Sequence, residues 1–315
     1  MRTLRIVFMG TPEFAVASLK TIVENNYQVV GVITAPDRPA GRGRQLKESA
    51  VKQFALSQQI PVLQPINLKN PDFIKELALL EANVQVVVAF RMLPKIVWEM
   101  PEYGTFNLHA SLLPLYRGAA PINWAIINGE EKTGVTTFFI DEKIDTGMII
   151  NQEEVAIRED DNAGTLHDRL MASGADLVST TLRQIKEDTI SVIKQPSLQP
   201  EKTAFKLTKE NTRINWNQPA SVIHNFIRGL SPYPVAWTSL NNNNKTNTVK
   251  IYEVSIVITE NKFPIGQLLI EDNQIKVSVP DGFVILHQIQ LPGKKVMSAK
   301  ALLNGYQFAK EARLK

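Results

Sequence analysis

Residues 84–90 read VQVVVAF, and this run decides the fold. A strand with one wet face alternates apolar and polar residues. A nearly unbroken apolar run belongs in a sheet covered on both faces, which is the habit of parallel sheets. Working outward, similar runs occur at LRIVFMG (4–10), QVVGVIT (28–34), IPVLQP (60–65) and TFNLHA (105–110). Helical spacing of apolar residues fills most of the gaps: from Pro12 to about Glu24, and in KESAVKQFALSQQ (47–59) and NPDFIKELALLEA (70–82). Strand and helix in alternation predict a Rossmann-like α/β domain with a mostly parallel sheet and right-handed connections. Beyond it the pattern predicts a helix at GAAPINWAIING (118–129), strands at GVTTFFI (134–140) and GMIINQEEVAI (147–157), and a long helix from Ala163 to Lys186.

The character then changes. A proline-bearing polar stretch with little periodicity reads as a linker over 190–206. After it come a short amphipathic pattern, PASVIHNFIRGL (219–230), and short strands at AWTSL, VKIYEVSIV, GQLLI, IKVSV and FVILHQIQL. Short strands with turn chemistry between them predict a small antiparallel barrel. The expected organisation is therefore a first domain over 1–189, the linker, and a barrel domain over 207–315.

Composition narrows the function. The chain has 315 residues, 44% of them hydrophobic, which is ample for two cores. There is no cysteine, which excludes disulfides, thiol nucleophiles and thiolate metal sites. No apolar stretch reaches the length of a membrane span, and the N-terminal run is too short for a signal sequence. A cytoplasmic protein is the expectation. The net charge of +4 is unevenly placed: from Lys206 onward there are 14 Lys and Arg against 7 Asp and Glu. A basic tail on a slightly acidic body suits either a polyanion contact or a merely lysine-rich surface.

Several chemistries find no support. The first strand-to-helix turn, MGTPEFAVAS, has a single glycine and lacks the dinucleotide fingerprint. There is no phosphate-binding Walker loop and no Gly-x-Ser-x-Gly elbow. The histidines at 109, 167, 224 and 287 show no metal-ligand spacing. Two clusters remain. Asn107 and His109 lie two apart on a strand, so they share a face at the edge where α/β folds place ligands. Asp145, in FFIDEKIDTGMII (138–150), sits between a strand and a Thr-Gly turn. An amide donor, an imidazole and a carboxylate can form an acyl-transfer site. A structural histidine is the competing reading. The second cluster is APDRPAGRGRQLKES (35–49), a glycine-containing loop with Arg38, Arg42, Arg44 and Lys47. It reads as a solvated loop or as a phosphate-contacting one.

FMGTPEFAV, PDRPAGRGRQL, NLHASLLPLYRGAAPINWAI and DEKIDTGMI, in that order, resemble the methionyl-tRNA formyltransferases of the folate-dependent formyltransferase family. The resemblance covers nearly the whole chain. The segment AFRMLPK (89–95) departs from the family's usual Tyr-Gly-x-Ile-Leu-Pro-like pattern. The resemblance implies formyl transfer from 10-formyltetrahydrofolate to the amino group of methionine on initiator tRNA; no metal is expected, and a monomer is the expectation for the oligomeric state, which the sequence does not fix. It implies that Asn107, His109 and Asp145 are catalytic and that Ser111, Leu112, Leu113 and Pro114 contact folate. It implies that the loop of Arg38, Arg42, Arg44 and Lys47 meets the tRNA, and that the tail is an OB-like barrel that also binds it. Two alternatives stand beside this reading: a formyltransferase for glycinamide ribonucleotide or an amino-sugar nucleotide, and a non-catalytic RNA-binding protein.

Overall fold

A computed structural model describes residues 1–40, 45–196, 202–243 and 245–315. In chain order, the first part contains β1 (Arg5–Gly10), α1 (Glu13–Glu24), β2 (Gln28–Ile33), β3 (Arg38–Ala40), β4 (Gln45–Lys47), α2 (Ala50–Ser57) and β5 (Val62–Leu63). It continues through α3 (Pro71–Leu79), β6 (Val84–Val88), α4 (Lys95–Trp98), β7 (Thr105–His109), β8 (Arg117–Gly118) and α5 (Pro121–Ile127). Next come β9 (Lys132–Phe139), β10 (Ile149–Ala156) and the long helix α6 (Ala163–Glu187). The remainder holds β11 (Thr203–Ala204), α7 (Ala220–Leu230), β12 (Ala236–Asn242), β13 (Lys245–Ile258), β14 (Leu268–Glu271) and β15 (Gln274–Val279). It closes with β16 (Gly282–Gln290), β17 (Met297–Ser298), α8 (Ala299–Leu303) and β18 (Arg313–Leu314). Two compact units result. Met1–Gly118, Thr133–Ala156 and His167–Thr203 form one; Ala119–Lys132, Ile157–Leu166 and Ala204–Lys315 form the other.

The first unit is built on a seven-stranded sheet of order β10-β9-β7-β6-β1-β2-β5. Strands β5, β2, β1, β6 and β7 run parallel, as their apolar runs predict; β9 runs antiparallel to β7. All five residues of β6 are buried. Period-two alternation sends Val7 and Met9 of β1 into one layer, where Phe73 and Leu77 of α3 meet them. Those two residues are one helical turn apart, so α3 turns a single apolar stripe to the sheet. Asn70 starts that helix by accepting from the Asp72 backbone N–H at 2.8 Å, with Pro71 in the first turn. On the far side of β7, α6 comes close because Gly174 has no side chain: a Cβ there would lie 2.7 Å from Leu108 Cδ2.

The second unit is the expected OB-like antiparallel barrel. Its sheet runs β14-β15-β16-β13-β12-β18, with β17 added beside β16. The two ends of this path meet. Leu314 N–H donates to the Gly266 carbonyl at 2.8 Å, and Leu268 N–H donates to the Ala312 carbonyl at 3.0 Å. Closure leaves no bare edge there. Ile251, Val277, Val284 and Leu286 fill the interior, and α7 packs Ile223 and Ile227 into the same core.

Gly266 is the closing joint. Its φ is +79°, and a Cβ would lie 2.2 Å from the Leu314 carbonyl oxygen. A side chain there faces both a left-handed backbone and a backbone clash. Gly266→Val is therefore expected to destabilise the barrel by on the order of 1–3 kcal/mol, read as a lower Tm in thermal melts. An unchanged Tm would show that the seam does not hold the barrel.

Candidate active site

Strand β7 alternates faces, so Asn107 and His109 project together while Leu108 turns to α6. Asn107 is partly exposed, and its carboxamide makes no hydrogen bond among the described residues. Such a group has two N–H donors open to water or to a ligand. His109 is only 7% exposed. Its Nε2 lies 2.8 Å from the Tyr116 carbonyl oxygen. A carbonyl only accepts, so Nε2 must carry the proton. That leaves Nδ1 as the ring nitrogen with a lone pair.

Nδ1 faces Asp145: its distance to Oδ2 is 3.8 Å. This is ion-pair range and longer than a hydrogen bond. Protonation at Nδ1 would create a donor aimed at the carboxylate. The same Oδ2 accepts the Gly118 backbone N–H at 2.9 Å. Oδ1 has no hydrogen-bond partner among the described residues. The pair thus has one committed oxygen and one open oxygen, with both side chains at least four-fifths buried.

Asp145 does not reach this place as its sequence position suggests. Phe139 of β9 pairs with Phe106 near the start of β7, and Thr136 pairs with His109. The chain therefore leaves β9 at the end of β7 away from His109. Between Phe139 and Ile149 the loop must fold back along the strand to bring Asp145 beside the imidazole. The turn is tight. Asp145 has φ +55°, and a Cβ on Gly147 would lie 1.7 Å from the Phe139 carbonyl oxygen. The Asp145 carbonyl accepts from Arg117 Nε and from Gln195 Nε2, each at 3.0 Å. Gln195 lies in the stretch read from sequence as linker, and no local pattern there marks it.

The SLLP segment is held from behind. Thr136 Oγ1 donates to the Ser111 carbonyl at 2.6 Å and accepts from Leu113 N–H at 3.2 Å and from Gln152 Nε2 at 3.0 Å. Gln152 Nε2 also donates to the Leu113 carbonyl at 2.9 Å. Ser111 donates its own hydroxyl to the Leu115 carbonyl at 2.6 Å. Leu113 is buried with Phe138 and Ile149. Leu112 packs over Gly134, and it and Pro114 are partly exposed. Of the four residues expected along the ligand, Ser111 and Leu113 thus turn their side chains inward, and Leu112 and Pro114 offer surface.

In the basic loop, Arg38 and Lys47 lie opposite each other in the short β3–β4 ladder, and both are exposed. Arg42 and Arg44 lie outside the described residues. The base of the loop is pinned. Lys52 Nζ contacts Asp37 Oδ2 at 2.5 Å and Glu48 at 3.0 Å, and Gln64 Nε2 donates to Asp37 Oδ1 at 2.8 Å. The Lys52 ammonium and then the Gln64 amide hold the Asp37 carboxyl below its usual range. Asp37 and then Glu48 push Lys52 up. Nearby, Arg91 donates to the carbonyls of Pro65 and Ile66. Burial first, and the Arg38 charge second, push Arg91 below its ordinary value. In the divergent AFRMLPK segment, Arg91 therefore ties the chain down to the neighbouring loop.

Comparison with known proteins gives a consistent result. The formyl transferase profile matches residues 4–182, and the formyl transferase C-terminal domain profile matches residues 206–307. A methionyl-tRNA formyltransferase of Flavobacterium johnsoniae is 56% identical over 314 residues, covering 100% of both chains. One of Bacteroides thetaiotaomicron is 50% identical over 311 residues, covering 97% of each. Among solved structures, WlaRD, a sugar 3N-formyl transferase crystallised with dTDP and 5-N-formyl-THF, aligns with a TM-score of 0.63 at 25% identity. That alignment covers 94% of this chain and 100% of the other.

The His109 geometry has a direct spectroscopic consequence. Neutral His109 is expected as the Nε2–H tautomer in ¹⁵N-resolved NMR spectra of the imidazole. A dominant Nδ1–H tautomer would contradict the Tyr116 hydrogen bond.

Proposed function

We propose, for a chain that belongs to the formyl transferase family, a catalytic centre of Asn107, His109 and Asp145. The enzyme transfers the formyl group of a formyl-folate to the amino group of methionyl-initiator tRNA. The observation that carries this is likeness along the whole chain: relatives of that one name match both units from end to end. We take the donor to be 10-formyltetrahydrofolate and the enzyme to be a cytoplasmic monomer. Among the described residues no helix is long and apolar enough to cross a membrane.

Elementary chemistry assigns the roles. The nucleophile is an α-amine with a reference pKa of about 7.7–8.0, so a useful fraction is unprotonated near neutrality. It needs placement more than activation. As it attacks, negative charge builds on the formyl oxygen, and the unpartnered Asn107 amide is the donor for it. The amine must lose a proton, and the leaving nitrogen must gain one. The His109–Asp145 pair offers two open acceptors for that proton, Nδ1 and Oδ1. With Nε2 held by Tyr116, the ring need not turn over during transfer. The fit to a folate donor rests on the partly exposed Leu112 and Pro114 beside this centre, with Ser111 and Leu113 setting their backbone.

The loop of Arg38, Arg42, Arg44 and Lys47 is assigned to the tRNA, as is the barrel domain over 207–315 with its excess of basic residues. Arg38 and Lys47 oppose like charges across one ladder. That arrangement is unfavourable in the free protein and is relieved by a phosphate between them.

Two tests follow from these roles. Asn107→Ala is expected to lower kcat by about 10²–10³-fold, and Asp145→Asn by about 10²–10⁴-fold, with little change in folate affinity. Transfer to methionyl-tRNA is measured beside glycinamide ribonucleotide and an amino-sugar nucleotide. Faster transfer to either control, or normal turnover in Asp145→Asn, would contradict the assignment. Separately, Arg38→Gln and Lys47→Gln are each expected to reduce the salt slope of tRNA binding by about one, with the folate KM unaltered. An unchanged slope in the double variant would remove this hairpin from the tRNA contact.

A further inference from the structure

We propose that Gln195 is a positioning residue for formyl transfer: its side-chain amide holds the loop that carries Asp145 against His109. The proposal rests on the assignment of Asp145 made above.

The topology creates the need. The loop leaves β9 away from His109 and must fold back to reach it. The turn carries Asp145 at φ +55°, a left-handed conformation that aspartate tolerates better than most side chains but that a continuing strand does not use. Thr146 Oγ1 donates to Asp141 Oδ1 at 2.7 Å and steadies the loop tip from within; at Asp145 and Gly147 themselves the backbone is held from outside the loop, by Arg117 and above all by Gln195. Its Nε2 donates to the Asp145 carbonyl at 3.0 Å and to the Gly147 carbonyl at 2.8 Å. Its Oε1 accepts from Arg117 Nη2 at 2.6 Å and Nε at 3.2 Å. Gln195 is 9% exposed, so these bonds form with little competition from water. A primary amide is the side chain that supplies two donors and an acceptor from one planar group. Glutamate cannot donate to the two carbonyls, and methionine of similar length has no donor and only a weak acceptor.

The bracing is itself anchored. Ile193 and Ile149 exchange two backbone hydrogen bonds, both 2.8 Å, which seat this stretch against the start of β10. Arg117 closes the ring from the other side, with Nε shared between Gln195 and the Asp145 carbonyl. Next to Arg117, the Gly118 backbone N–H holds the Asp145 carboxylate. The carboxylate and the backbone of Asp145 are thus fixed by separate partners. Gln195 hydrogen-bonds to none of the Asn107, His109 and Asp145 side chains, so its removal should displace Asp145 without deleting one of their hydrogen bonds.

The test is a double-substitution cycle in the full-length enzyme, with Gln195→Met made in the parent and in Asp145→Asn. In the parent, kcat is expected to fall by roughly tenfold to 10²-fold. KM for the formyl donor and for methionyl-tRNA should stay within about twofold. In Asp145→Asn, the same substitution should change kcat by less than about threefold, because no carboxylate remains to be placed. Normal kcat in Gln195→Met, or losses that simply add in the double variant, would overturn the proposal. If Gln195→Met does not fold, Gln195→Ala, which leaves room for water at both carbonyls, enters the same cycle. Failure of both to fold would also overturn it, because the residue would then be a general brace. Normal turnover in Asp145→Asn alone would instead refute the Asp145 assignment, so the two failures are distinguishable.

Discussion

Strand β9 runs antiparallel to β7, and the geometry of the site depends on that reversal. A parallel neighbour would deliver its following loop directly to the carboxyl edge, where His109 sits. The antiparallel neighbour delivers it to the opposite end. Asp145 must then be returned along the strand, and the residues around it are those that a returned loop requires. Asp145 takes a left-handed backbone, Gly147 makes room against Phe139, and Arg117 and Gln195 occupy the exposed carbonyls. None of these features concerns the reacting atoms. Each follows from bringing a carboxylate to an imidazole by an indirect route.

The second determinant is the Tyr116 carbonyl. By accepting from Nε2 it settles the neutral tautomer of His109 and leaves Nδ1 as the nitrogen that faces Asp145. Tyr116 can do this because it is buried, with φ +57°, in the segment that follows SLLP. Its own N–H donates to the Lys202 carbonyl at 2.6 Å. Thr136 and Gln152 fix the other end of that segment. The Asn-x-His-x-Ser-Leu-Leu-Pro stretch is thus one device. The strand half aims the polar pair, and the loop half returns a carbonyl that orients the ring.

Much of this was legible in the sequence, and the physical reason is locality. Period-two alternation in TFNLH places Asn107 and His109 on one face, and the structure keeps them there. The apolar run at 84–88 demanded two covering layers, and it is buried throughout. What escaped sequence reading is long-range. Gln195 meets partners 50 and 78 residues away, and nothing near it in sequence marks the meeting. The family resemblance implies Ser111 as a folate contact, and no local pattern foretells that its hydroxyl donates to the Leu115 carbonyl. Asp145 was found by its motif, while its path to His109 depends on strand direction, which a strand pattern does not encode. Gly266 looked like an ordinary strand start and proved to be the seam of the barrel.

In the proposed mechanism Asn107 serves the formyl oxygen while His109 works from Nδ1 alone. A crystal structure with a formyl-folate analogue and a methionyl-adenosine fragment of the tRNA end would test it most directly. The expected result is Asn107 Nδ2 within about 3 Å of the formyl oxygen, His109 Nε2 still donating to the Tyr116 carbonyl, and Asp145 still beside Nδ1. An imidazole turned so that Nε2 leaves Tyr116 for the ligand, or a formyl oxygen beyond reach of Asn107, would contradict it.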